Sequence, residues 1–204
     1  MNAIPLNLYV VDDDEAVRRS LGMLLLSRGY AVQIFESGEA FLAAPHENQH
    51  GCVILDLRLE GMNGLEVLDA LRSRNSSLVV LFLSGHGDIP VAVKAVQNGA
   101  FGWLEKPCSD DLLFQNVLQA LEHATVLAQQ KAAQLEADAL WQKLTPREKE
   151  VARLVADGKT SKVIARELTA IDPRTVETHR AHAFSKLGLA NSNELDRFLR
   201  QYSL

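Results

Sequence analysis

The 204 residues predict an α/β domain with a doubly wound parallel sheet of five strands, then a long helix, then an all-α domain of four helices. Between Leu6 and about Leu121, short apolar runs bounded by turn signals alternate with amphipathic stretches, the pattern of βαβ units. From Ser109 to Gln142 there is no Gly or Pro, and Ala, Leu, Gln and Glu dominate, which favours one continuous helix. Charge then changes sign: residues 1–142 hold 9 Lys and Arg against 18 Asp and Glu, and residues 143–204 hold 12 against 8. These shifts place the expected boundaries at 1–123, 124–142 and 143–204. A basic second part joined to an acidic first part suggests two domains with different partners, the basic one facing a polyanion.

Leu8-Tyr9-Val10-Val11 is the first strand and runs into Asp12-Asp13. Asp14 is placed to cap a helix that ends near Arg28, where Gly29 stops it. Tyr30 to Phe35 is the second strand, and a helix begins near Ser37. Val53-Ile54-Leu55 closes on Asp56, a buried parallel strand between Gly51 and the Gly61-Met62-Asn63-Gly64 turn. Leu65, Leu68 and Leu71 share one face of a helix over residues 64–72. Leu78 to Leu83 ends in Ser84, and Pro90 sits early in the next helix, where its missing donor costs little. Phe101-Gly102-Trp103-Leu104 precedes Glu105-Lys106-Pro107. The expected strand order is 2-1-3-4-5, the flavodoxin-like arrangement.

Within the long helix, Val117, Leu121, Ala124, Ala128, Lys131 and Leu135 form a partial heptad, which suits a dimerising seam and a solvated spacer about equally. After it, Thr145, Pro146 and Glu148 make a capping box for a helix that runs to about Ala156 and stops at Gly158. Thr160 or Ser161 starts the second, Asp172-Pro173 the third, which runs from Arg174 to Leu187 with Gly188 as its stop, and Ser192 the fourth. Two short helices, a tight turn and a longer helix carrying Thr, His and Arg form a helix-turn-helix pattern.

Ligands of open α/β sheets bind beyond the carboxyl ends of the strands. Side by side, these strands deliver Asp12, Asp13, Asp56, Ser84 and Lys106 to one rim. Crowded carboxylates repel unless a cation sits between them, and Mg²⁺, with oxygen ligands and retained waters, suits the set. One carboxylate is then free to act as a nucleophile toward a phosphoryl group, with Lys106 holding a phosphate oxygen. No apolar run approaches the ~20 residues of a membrane span, and no basic segment followed by an apolar core opens the chain, so a cytoplasmic location is expected. Cys52 and Cys108 are too few for a disulfide framework and read as small packing residues. His179 and His182 lie three apart on a helix, but no local Cys or carboxylate joins them, so they are not read as a metal site.

The acidic pair, the strand-ending Asp56, Ser84, Trp103 and Lys106-Pro107, in this order and spacing, resemble the receiver domain of two-component response regulators. Ser84-Gly85-His86-Gly87-Asp88-Ile89-Pro90 is similar to the FixJ branch. The resemblance implies that Asp56 takes a phosphoryl group from a sensor histidine kinase. It also implies direct Mg²⁺ ligation by Asp13, Asp56 and the Arg58 carbonyl, with Asp12 acting largely through water. Ser84 and Trp103 would be the switch pair, the hydroxyl moving toward the phosphoryl oxygen and the ring into the vacated space. Two departures stand out: Trp103 is bulkier than the usual Tyr or Phe, and Glu60 takes the place of a Pro and is expected to be exposed.

Leu144-Thr145-Pro146-Arg147-Glu148, Ile164-Ala165, Arg174-Thr175-Val176-Glu177-Thr178-His179-Arg180 and Lys186-Leu187-Gly188 are similar to the NarL/FixJ, LuxR-type DNA-binding domain. By that resemblance Glu177, Thr178 and Ala181 occupy base-facing slots. Lys162, Arg174, His179, Arg180 and Lys186 become phosphate or groove-edge candidates, Thr175 lies in the same motif, and Val176, Ile164 and Leu187 are core. The turn Thr169-Ala170-Ile171-Asp172 is one residue longer than the family's.

The expectation is a Mg²⁺-dependent, phosphorylation-switched regulator of transcription that binds double-stranded DNA as a homodimer on paired half-sites. RNA polymerase is a further candidate partner, and the tetrathionate-respiration regulators a candidate subgroup. Two rivals are an aspartyl-phosphate phosphatase or transferase, disfavoured by the lack of a second positioned acid and of a pocket-forming insertion, and a protein-interaction module whose altered turn has abolished DNA binding.

Overall fold

In the core strands successive side chains point to opposite faces of a sheet, so a continuous apolar run needs cover on both sides. The computed structural model, which describes residues 6–45, 49–85, 89–168 and 171–204, supplies that cover. Strands β1 (Leu6–Val11), β2 (Val32–Phe35), β3 (His50–Leu55), β4 (Ser77–Ser84) and β5 (Gly102–Glu105) form a parallel sheet in the order β2-β1-β3-β4-β5. Leu8, Val10, Cys52, Ile54, Val79 and Leu81 face one layer, built from helices α1 (Glu15–Ser27) and α5 (Asp110–Gln142). Tyr9, Val11, Val53, Leu55, Val80 and Phe82 face the other, built from α2 (Gly38–Ala43), α3 (Gly64–Ser73) and α4 (Ile89–Gln97).

Local chemistry sets the ends of these elements. The Asp14 side chain accepts the N–H groups of Ala16 and Val17 at the start of α1, and Ser37 accepts that of Ala40 at the start of α2. Asn63 and Glu66 form a capping box on α3. The buried face of α3 is Gly64, Val67, Leu68 and Leu71, so Val67 takes the place expected for Leu65, which is only half-buried. Strand β3 begins three residues earlier than expected and runs through Gly51. A Cβ there would lie 1.8 Å from the Asn7 carbonyl oxygen, so Gly51 is what lets β1 and β3 approach.

The chain divides into two compact units, Met1–Gln129 and Gln130–Leu204, the division falling inside α5 and inside the stretch read as a linker. In the first unit, Val117, Leu121 and Ala124 of the partial heptad are buried in the core beside the sheet, which removes them from any seam between copies. Leu135 of the same heptad stays exposed.

The second unit contains α6 (Pro146–Ala156), α7 (Ser161–Glu167), α8 (Pro173–Leu187) and α9 (Ser192–Tyr202). Helix α6 packs on α8 and α9, and α7 on α8. Trp141, from the last turn of α5, is buried in this unit's core with Val151, Val155, Ile164, Val176, Leu187 and Leu195. Gly188 closes α8 in the left-handed region at φ 69°. Residues 86–88 of the FixJ-like motif and residues 169 and 170 of the longer turn lie outside the described residues.

Candidate functional site

Three side chains of the rim belong to residues that sit at or just past a strand end yet keep a backbone bond in the ladder. The Asp12 N–H donates to the Phe35 carbonyl at 3.2 Å, the Asp56 N–H to Val11 at 2.9 Å, and the Lys106 N–H to Ser84 at 3.1 Å. Because the backbone fixes them, the side chains meet: Lys106 Nζ lies 2.5 Å from Asp12 Oδ2 and 2.7 Å from Asp56 Oδ2. Asp14 N–H donates to Asp12 Oδ1 at 3.0 Å, and Arg58 N–H to Asp56 Oδ1 at 3.2 Å. Arg18 Nη1 reaches the Asp12 carbonyl oxygen at 2.6 Å and ties the start of α1 to the same corner. The Lys106–Pro107 peptide bond is cis.

The two carboxylates that share this lysine differ in environment. Asp12 is buried, and burial raises its pKa by more than the Lys106 contact and the Asp14 N–H lower it. Burial also pushes Asp56 up, but hydrogen bonds from Lys106 and Ser84, the Lys106 charge and the Arg58 N–H outweigh it and hold Asp56 below the ordinary value. For Lys106, burial works against the ammonium, while Asp12 and Asp56 more than compensate and raise its pKa. The shared lysine thus leaves the two carboxyls shifted in opposite directions, Asp12 up and Asp56 down.

The site residues expected from the sequence come together here. Carboxylate oxygens of buried Asp12, half-buried Asp56 and exposed Asp13 all lie within 4.8 Å of one another. Three carboxylates against one ammonium is an oxygen-rich set with negative charge to spare, which fits a hard divalent cation. Ser84 is fully buried and hydrogen-bonds to Asp56. Trp103 stacks on Phe82, ring centroids 5.3 Å apart, and lines an apolar groove of about 320 Å³ with Ala92, Val93 and Val96 of α4. Burial pushes the Cys52 thiol up to about 12, so it is a packing residue rather than a reactive one.

The loop from Asp56 to α3 is held at both ends. Gly64 N–H donates to the Leu57 carbonyl at 2.9 Å, and a Cβ on Gly64 would meet the Asp56 carbonyl oxygen at 2.4 Å. At the far end Glu39 Oε1 accepts the Met62 N–H at 2.8 Å. Glu60 is exposed. The Glu39 tether was not legible in the sequence, where Glu39 reads as an ordinary first-turn residue of α2.

In the helical unit α8 presents Arg174, Thr175, Glu177, Thr178 and Ala181 as exposed positions, with His179 and Arg180 half-buried. Lys162 is exposed on α7, and with Lys159, Ser161, Glu177 and Arg180 it lines a cleft of about 550 Å³. Glu177 accepts a hydrogen bond from the Ser161 hydroxyl, and Thr178 Oγ1 bonds back to the Arg174 carbonyl at 3.1 Å. Lys186 has a different engagement: its Nζ lies 2.6 Å from Oε2 of Glu148, a buried carboxylate on α6. Glu148 Oε2 also accepts the Thr145 N–H at 2.7 Å, and His182 Nδ1 stands 3.7 Å from Oε1. His182 thus faces Glu148 rather than pairing with His179. The capping box pointed to Glu148 as a cap, and nothing local pointed to its partner on α8.

Comparison with known proteins follows the same division. Residues 8–118 match the response regulator receiver domain, and residues 142–199 match the bacterial regulatory proteins of the luxR family. The chain is 39% identical to the transcriptional regulatory protein FixJ of Bradyrhizobium diazoefficiens over 191 residues, covering 94% of this chain and 93% of that one. It is 42% identical to the C4-dicarboxylate transport transcriptional regulatory protein DctR of Rhodobacter capsulatus, with 93% and 96% covered. With the tetrathionate response regulatory protein TtrR of Salmonella typhimurium it shares 40% identity, with 93% and 90% covered. Among solved structures it is similar to the response regulator StyR, with a TM-score of 0.82 at 35% identity, covering 96% of this chain and 98% of that one. Full-length FixJ from B. japonicum gives 0.59 at 37%, with 98% of each covered.

Proposed function

We propose a phosphorylation switch for this chain, which belongs to the DNA-binding response regulators, a receiver domain joined to a LuxR-type domain. Asp56 is the acceptor: a carboxylate oxygen attacks phosphorus, the new O–P bond forms, and the P–N bond of a kinase phosphohistidine breaks with the electron pair leaving on the imidazole. The observation that carries this is the contact of Lys106 with both Asp12 and Asp56 beside an ionised Asp56. Lys106 is placed to leave its bridging position for a phosphoryl oxygen, and buried Ser84 to donate to another. Asp12, Asp13, Asp56 and the Arg58 carbonyl are the ligands we assign to Mg²⁺, whose role when bound is to neutralise charge on the transferring group.

Dimerisation is proposed to follow through α4 and β5, because Ile89 is 81% exposed and Val93 and Val96 stand about half exposed beside Trp103. In the helical unit, Lys162, Arg174, Thr175, His179 and Arg180 are assigned to phosphate or groove-edge contact, and Glu177, Thr178 and Ala181 to bases. A cytoplasmic location, a non-enzymatic role, a histidine kinase as donor and RNA polymerase as a downstream contact complete the reading; no helix among the described residues is long and apolar enough to cross a membrane.

The test treats the full chain with acetyl phosphate and Mg²⁺, then measures phosphoprotein, mass in solution and binding to a random-sequence DNA library. The expected results are one phosphoryl group, a dimer and enrichment of a specific sequence. Val93→Glu should keep the phosphoryl group and lose the dimer. A parent chain that takes up no phosphoryl group sinks the reading.

A further inference from the structure

We propose that Glu148 and Lys186 are positioning residues for DNA recognition, an inference that rests on the DNA-binding reading above. The pair locks the seat of α8 on α6 and does not itself touch nucleic acid.

Helix α8 is held to its unit by Val176, Ala183 and Leu187, all buried. Apolar contacts are non-directional, so they hold a helix on the core with less control of its roll and axial position than a directional bond gives. A short charge-assisted bond does fix them. Glu148 supplies it from a rigid place: it is 3% exposed, stands in the first turn of α6, and its carboxylate is held by the Thr145 N–H at 2.7 Å. From there it takes Lys186 Nζ at 2.6 Å and faces His182, one helical turn earlier on the same side of α8. Glu148 is the only Asp or Glu buried in the helical unit among the described residues. Registry is the best-attested use of buried ion pairs, and here the carboxylate is buried while Lys186 is partly exposed. The exposed Arg174, Thr175, Glu177, Thr178 and Ala181 ride on the helix so fixed.

This assignment makes a prediction opposite in sign to simple electrostatics. Removing an acidic group near a polyanion strengthens binding to every sequence. Removing a positioning residue weakens binding to the preferred sequence alone. Likewise a lysine on a phosphate, once neutralised, weakens all sequences and lowers the salt slope by about 1, whereas a positioning lysine leaves the slope unchanged.

The experiment uses the full chain, phosphorylated by acetyl phosphate, with a duplex it selects from a random-sequence library and a scrambled duplex. Glu148→Gln, which keeps an acceptor for the Thr145 N–H, should bind the selected duplex about 10-fold more weakly and the scrambled duplex at least as tightly as the parent. Lys186→Met should show the same confined loss with the parent's salt slope, and Lys186→Arg should restore binding to within about 2-fold. Trp141 fluorescence, read in a Trp103→Phe background, checks that the helical unit is folded. Should Glu148→Gln unfold it, the double variant Glu148→Gln, Lys186→Met leaves no charge unpartnered and undergoes the same comparison. The inference is overturned if Glu148→Gln binds the selected duplex as tightly as the parent, or if Lys186→Met loses affinity for both duplexes with a shallower slope. A parent that selects no sequence overturns the DNA-binding reading and this inference with it.

Discussion

Each unit sets a partly exposed lysine against a buried carboxylate, and the two arrangements differ in charge balance. At the rim of the sheet one ammonium, Lys106, serves Asp12 and Asp56 while Asp13 stands within reach, so acidic charge exceeds basic. In the helical unit one ammonium, Lys186, meets one buried carboxylate, Glu148, whose Oε2 also accepts a backbone N–H while Oε1 faces His182. The first cluster carries more acidic than basic charge; in the second, Lys186 balances Glu148 one for one. A lysine–carboxylate contact is thus not one kind of feature: the sum of charges around it differs between the two units.

The largest expected effect comes from removing the nucleophile. Asp56→Asn should abolish phosphoryl uptake from acetyl phosphate, read as the mass of the intact protein, while the helical unit melts unchanged. Next is Lys106→Met, which leaves the acidic cluster without its internal counterion. Phosphorylation should slow by about 100-fold, the scale of losing one preorganised charge partner, and Mg²⁺ binding should persist. If the rate is unaffected, the contrast between the two lysines collapses.

A smaller effect tests the balanced pair by pH. Burial raises the Glu148 carboxyl, but Lys186 and Thr145 outweigh it and hold the pKa below its ordinary 4.5. A carboxyl depressed in the folded state stabilises above its unfolded pKa and loses that contribution as pH falls through the folded one. Acidifying from about pH 5 to about pH 3 should therefore lower the melting temperature of the helical unit, followed by Trp141 fluorescence in a Trp103→Phe background, and Glu148→Gln should flatten that slope by a few degrees. A parallel slope in both chains would remove Glu148 from the account. Smallest is Glu39→Ala, which frees the Met62 N–H of the loop after Asp56. Mg²⁺ affinity, followed by Trp103 fluorescence, should fall about 3-fold, as for one exposed hydrogen bond.

The rim cluster was legible because strand-ending acids and a lysine announce themselves at the boundary of apolar runs, and a parallel sheet has only one edge to which they can be delivered. Residues that depend on partners distant in sequence were not. Lys186 on α8 reads as a candidate phosphate contact, and the structure adds a pairing with Glu148, which lies 38 positions upstream. Val117, Leu121 and Ala124 have a spacing that suits a seam between copies and a face laid on a sheet equally, and only the fold decides for the sheet. Gly51 reads as a strand boundary, yet it lies inside β3 because the neighbouring strand comes too close for a side chain.

The backbone bonds that hold Asp12, Asp56 and Lys106 at one end of the sheet also divide the molecule into a pole that resists editing and one that accepts it. An added residue just before any of these three would turn its side chain toward the opposite layer, since alternation along a strand has a period of two. The turns at the other pole of the sheet, such as residues 28–31 between α1 and β2, lie upstream of a strand rather than at its carboxyl end, and a Cβ on Gly29 would meet nothing within 4 Å. A reporter peptide or a new pair of termini belongs there, where a signalling protein can be lengthened without retuning its chemistry.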